Sequence, residues 1–127
     1  MSEESRARPE QDPNELDCLD MARLRTVYSD KPGMLRAMQQ EYSQRAQELL
    51  ESLQNAEKSR NYQALEEAAH SLKGNSALIG ALRVQHLAKD IETASRNRDE
   101  QAVGSRLQEL KPAVARTLAL LEEFLHG

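Results

Sequence analysis

Four stretches of this chain repeat apolar residues at intervals of three and four, and such stretches joined by short connections have few ways to bury their apolar sides. From about Met34 to Glu57 the repeat is Leu35, Met38, Tyr42, Ala46, Leu49, Leu53 and Ala56. A second stretch, from Asn61 to Gly80, places Leu65, Ala68, Ala69, Leu72, Ser76 and Ile79 within about 100° of one another on a helical projection. A third, from about Arg83 to Asn97, has Val84, Leu87, Ala88, Ile91 and Ser95 as its inward side. The last runs to about Leu125 with Val103, Leu107, Leu110, Val114, Leu118, Leu121 and Leu125 in near-heptad spacing.

The punctuation agrees with the periodicity. Ser29 to Gly33 is a turn, and Lys58 to Asn61 a short connection whose Asn61 can cap the next helix. That helix has Glu66 and Glu67 near its first turns and ends at Gly80, suited to a left-handed C-terminal position. The tight turn there forces the following helix to pack antiparallel. Pro112 should kink the last helix, the alternative being a break into two at Lys111. Asn14 is a candidate cap for a short first helix through about Tyr28, with Leu16, Leu19, Leu24 and Val27 as its apolar side. The predicted fold is all-α: an antiparallel up-down-up-down four-helix bundle over 14–127 with an additional short N-terminal helix, preceded by a disordered leader over 1–13.

Composition narrows the function. A chain of 127 residues buries about two-thirds of its unfolded surface in one core, and a second core is not expected. A net charge of −4, with Arg and Lys spread among Glu and Asp, argues against nucleic acid as a partner. Cys18 is the only cysteine, so no internal disulfide or cysteine zinc cluster can form. There is no apolar run of about 18 residues, so direct membrane insertion is not expected, and the cytoplasm is the expected compartment. A four-helix core that closes on itself favours a monomer. Met1 and the polar leader favour a free-standing protein over a module of a hybrid kinase.

Chemistry concentrates at Ala68 to Ala81, AAHSLKGNSALIGA. His70 projects well outside the apolar stripe of its helix, bracketed by Lys73, Gly74 and Ala77. A helical glycine costs roughly 0.5–1 kcal/mol relative to alanine, and close approach of another molecule would offset that loss. A lone helical histidine is ordinarily a surface residue; Lys73, Gly74, Ser76 and Gly80 around His70 make it a reactive one. His86 and His126 read as solvated, with no three-histidine metal site expected. Lys73, Arg83 and Lys89 could form a small basic surface near His70.

The pattern H-x-L-K-G-x-S, followed by an apolar pair and Gly80-Ala81, resembles the signature of the histidine-containing phosphotransfer (HPt) domains of bacterial and plant phosphorelays. The resemblance spans about Asn14 to Leu125, although outside the motif it consists mostly of apolar spacing. It implies the same bundle, with His70 as phosphoryl acceptor, Lys73 as the cation steadying the phosphate, and Gly74 as the small residue admitting the partner. Ala77 and Asn75 fall on the implied docking surface, and Glu92 falls where the family often has a Gln or Glu that can orient the imidazole. Tyr42 stands where Phe is common, and Arg60-Asn61 replaces a usual Gly-Asp.

The implied function is phosphoryl transfer from a response-regulator receiver aspartate onto His70 and on, or back, to another receiver. The implied partners are receiver domains and a hybrid sensor histidine kinase. Imidazole, with an ordinary pKa of about 6.5, needs no strong base to act as nucleophile. No G-x-x-x-x-G-K-[ST] or G-x-G-x-x-G loop is present to hold ATP, and no acidic cluster to hold Mg²⁺ unaided. The chain is therefore expected to be a carrier and not an enzyme, with no cofactor of its own and Mg²⁺ supplied in the partner receiver. Two other classes are a non-phosphorylated helical adaptor for a receiver or kinase, and an enzyme, either a receiver phosphatase or a kinase. Indifference of receiver binding to His70→Gln would favour the adaptor, and labelling by ATP alone the kinase.

Overall fold

The structure, a computed structural model, describes residues 18–126. Five helices follow in order: α1 Met21–Tyr28, α2 Pro32–Ser59, α3 Tyr62–Ile79, α4 Leu82–Arg96 and α5 Glu100–His126. Helices α2 to α5 pack each on the next, and α5 returns to α2, closing the antiparallel four-helix ring that the periodicity predicts. Every residue of the expected stripes on α3 and α4 is buried. On α2, Leu35, Tyr42, Ala46, Leu49, Leu53 and Ala56 are buried and Met38 is half-buried.

Local chemistry fixes the ends of α3. The Asn61 side chain accepts the Ala64 N–H at 3.0 Å, satisfying one of the donors that a helix start leaves free. At the other end Gly80 takes φ 74°, and its N–H returns to the Ala77 carbonyl. The segment before α1 braces this turn: Asp20 N–H donates to Gly80 O, and Leu82 N–H to Cys18 O, both at 2.9 Å. Arg23 then spends both terminal nitrogens on the last carbonyls of α3, Ala77 O at 2.9 Å and Leu78 O at 3.1 Å.

Three expectations are revised. Helix α1 begins at Met21, because Asp20 caps it through the Arg23 N–H and the residues before Asp20 pair with the α3–α4 turn. Asn14, Leu16 and the 1–13 leader lie outside the described residues. Val27, expected on the apolar side of α1, is 42% exposed. Helix α5 runs unbroken through Pro112, so the two-helix alternative at Lys111 does not hold. Pro112 and Gln108, whose carbonyl loses its helical partner to the proline, are both exposed, so water can satisfy that carbonyl.

Arg60 ends α2 in the left-handed region, at φ 55°, where a side chain costs roughly 1–2 kcal/mol and glycine does not. Its exposed contact with Glu100, at 3.2 Å, returns little of that. Arg60→Gly should therefore raise stability by about 0.5–1 kcal/mol, read from denaturant midpoints at unchanged m-value.

Candidate functional site

The site follows from the asymmetry of α3. With Leu65, Ala68, Ala69, Leu72, Ser76 and Ile79 in the core, the opposite side of the same helix must face water, and His70 stands in its middle with a side chain 68% exposed. Inside, the Tyr42 hydroxyl and Ser76 Oγ share a buried hydrogen bond of 2.8 Å, which pins α3 against α2. Burial is the larger influence on the Tyr42 hydroxyl and pushes its pKa up to about 12, keeping it protonated at neutral pH.

Glu92 on α4 is the hinge of the arrangement. It is only 7% exposed, and a carboxylate withdrawn from water needs partners. It has them: Lys73 Nζ donates to Oε1 at 2.7 Å, and His70 Nδ1 lies 2.9 Å from Oε2. Arg96, one turn further along α4, brings a guanidinium nitrogen within 3.5 Å of Oε2 and donates through Nε to Glu66 at 3.0 Å. The Lys73 hydrogen bond above all, with that of His70, holds the Glu92 carboxyl below its ordinary pKa of 4.5 against the opposing effect of burial. An ionised carboxylate can only accept, so Nδ1 carries the ring hydrogen and the neutral imidazole keeps its lone pair on Nε2.

Space in front of the ring is as distinctive. A Cβ built on Gly74 would meet nothing within 4 Å, so no internal packing demands glycine there. Ala77 is half-buried, and Leu78 beyond it is the most exposed large apolar side chain among the described residues, at 64%. Asn75 turns back to donate to Ser71 O at 2.8 Å. It lines, with Met38, Glu41, Tyr42, Leu78 and Ile79, a shallow groove of about 170 Å³ between α2 and α3.

Of the predicted residues, His70, Lys73 and Glu92 are brought into direct contact, while Gly74 and Ala77 lie on the same helix within two turns of the ring. The basic surface expected from Lys73, Arg83 and Lys89 does not stand as three facing cations: Lys73 is on Glu92, Arg83 is 3.6 Å from Glu109 of α5, and Lys89 is exposed. His86 lies 3.5 Å from Asp90, and His126 sits 2.9 Å from the Glu122 carbonyl. Among the described residues no three His, Cys, Asp or Glu side chains form a group that could hold a metal ion. Sequence reasoning passed over Arg96 and Leu78 and read Glu66 only as a helix-start charge. Arg96, and the place of Glu66 beside the ring, could have been found from their spacing of four from Glu92 and His70.

Because the Glu92 carboxyl is depressed in the fold, its ionised form contributes stability that is fully present above the unfolded value of 4.5 and is lost as pH falls through the lower folded value. The stability difference between wild type and Glu92→Gln, measured by chemical denaturation, should therefore be constant near neutrality and move against wild type below about pH 4.5. Glu92→Ala should also mix the His70 tautomers, read from the ring ¹⁵N shifts, whereas the wild-type ring holds its hydrogen on Nδ1.

No match was found among curated protein sequences. A solved structure, that of histidine-containing phosphotransfer protein B (HptB) from Pseudomonas aeruginosa PAO1, is similar at 25% identity with a TM-score of 0.75, covering 88% of this chain and 97% of that one. The family model of the Hpt domain matches residues 37–124. The chain thus belongs to the Hpt domain family and is a histidine phosphotransfer protein of two-component phosphorelays.

Proposed function

We propose that His70 is the residue that carries the phosphoryl group, that its Nε2 is the nucleophile, and that the donor and acceptor are aspartates of receiver domains. The single observation carrying this is the Nδ1 contact to the buried, ionised Glu92, which leaves the reactive lone pair on the exposed side of the ring. In the step, the Nε2 lone pair attacks the phosphorus of the aspartyl phosphate. The N–P bond forms as the P–O bond to the aspartate breaks, and the carboxylate leaves with the bonding pair. Nδ1 keeps its proton, and Glu92 balances the positive charge that the phosphorylated ring acquires. Lys73 is close enough along the helix to turn to the phosphoryl oxygens, where charge is most useful to transfer.

The carrier has no ATP site of its own in this reading; a hybrid sensor kinase and its receiver supply the phosphate. Any Mg²⁺ comes with the receiver, since both oxygens of Glu92 are already taken by Lys73 and by His70 with Arg96. No described helix is long and apolar enough to cross a membrane. We place the reaction in the cytoplasm with the chain acting as a monomer, to be checked by fractionation and by sedimentation.

Incubation with a phosphorylated receiver of the same host should move acid-labile, base-stable phosphate onto the chain. His70→Gln should receive none while keeping its helical circular dichroism, because the ring makes no core contact. Gly74 separates docking from folding. Gly74→Ala should raise stability by about 0.5–1 kcal/mol. Gly74→Leu should fold normally yet slow transfer by roughly a hundredfold, the scale of an error of about 1 Å in positioning. Normal transfer by Gly74→Leu would refute the docking role.

A further inference from the structure

Glu92 has more cations around it than a carboxylate at rest requires. Lys73 occupies Oε1 at 2.7 Å, while Arg96 stands 3.5 Å from Oε2, within ion-pair range but beyond a good hydrogen bond. Arg96 is meanwhile held by its Nε to Glu66, one turn before His70 on α3, at 3.0 Å. A row of alternating charge, Glu66, Arg96, Glu92 and Lys73, therefore runs along the seam between α3 and α4 beside the reactive ring.

Phosphoryl transfer to Nε2 disturbs that row. It brings about two negative charges next to the ring, and the lysine that neutralises Glu92 is the one nearest in sequence to steady them. Lys73 cannot fully serve both. If it turns to the phosphoryl oxygens, Glu92 keeps a largely buried oxygen without a donor. The carboxylate then loses the contact that fixes its position, and with it the orientation of the ring at Nδ1, when the ring most needs a placed counter-charge.

We infer that Arg96 is a positioning residue that takes over Glu92 when Lys73 moves to the phosphoryl group, keeping Glu92 ionised and the ring held by Nδ1. This rests on the reading of His70 as phosphoryl acceptor. The side chain is suited to it: at 58% exposure it can shift without losing its water, and its planar fork can bridge the carboxylates of Glu66 and Glu92 together. The charged and titratable side chains that contact Glu92 are Lys73 and His70 from α3 and Arg96 from α4. Among the described residues no other cation makes such a contact.

The experiment uses the full chain, phosphorylated by a receiver domain that already exchanges phosphate with wild type. Arg96→Gln should shorten the phosphohistidine half-life and lower its equilibrium share by roughly two- to fivefold, the effect of one half-exposed charge pair, with Arg96→Lys recovering part of the loss. The ¹⁵N signature of the unphosphorylated ring should stay unchanged, because Lys73 still holds Glu92 there. In a Glu92→Gln background the same Arg96→Gln change should have no effect. An equal loss in that background would mean that Arg96 touches the phosphate directly, overturning the inference.

Glu66→Gln gives a second reading that does not depend on Glu92→Gln accepting phosphate. It frees Arg96 and should preserve the half-life, whereas a loss matching that of Arg96→Gln would assign Arg96 to α3–α4 pairing alone and defeat the proposal. A wild-type half-life in Arg96→Gln would also defeat it while leaving the role of His70 intact. Failure of wild type to take phosphate from any receiver would instead refute the reading on which it rests.

Discussion

A carboxylate taken almost out of water sets the terms for the rest of this site. Glu92 can remain charged at the edge of the core only because α3 delivers a lysine and an imidazole to it, and α4 an arginine. That requirement fixes the tautomer of His70 and the rest position of Lys73, and it ties α3 to α4 on the face we propose for the chemistry. The same contact therefore partners a buried charge and decides which ring nitrogen faces outward, which joins folding to the function we propose.

The scaffold's contribution is asymmetry. One side of α3 is fully committed, to Leu65, Leu72 and Ile79 in the core and to the Tyr42–Ser76 hydrogen bond. The other side carries an exposed ring, a glycine with nothing near it and a protruding Leu78. A helix pinned so firmly on its inner side can leave its outer side sparsely covered without fraying. In the proposed reading, binding a partner there costs little reorganisation, since the ring is already oriented.

Much of this was legible in the residues because helical periodicity and helix-end chemistry are local. The stripe on α3, the Asn61 cap and the left-handed Gly80 depend on neighbours within a turn or two, and each stands where the spacing places it. The position of His70 outside its stripe gave its exposure in the same way. What the spacing does not encode is which distant groups meet. Glu92 was as readable as a solvated surface glutamate as it was as a ligand of the ring, because its burial depends on how α3 and α4 pack. Arg23 reaches carbonyls more than fifty positions away, which no periodicity reveals. Pro112 misled in the other direction, since a break was weighed without knowing that Gln108 and Pro112 would both stand on the exposed side of the helix.

The brace formed by Cys18, Asp20 and Arg23 bears on where this unit begins. The Hpt domain match starts at residue 37, inside α2, whereas the similarity to the solved HptB structure covers 88% of the chain and so reaches residues before that point. Those earlier residues close the end of α3 nearest Leu78, on the helix that carries His70. A boundary drawn at residue 37 would cut away the strut that closes this helix. Its loss would leave the last carbonyls of α3 without the Arg23 guanidinium while changing no residue of the motif.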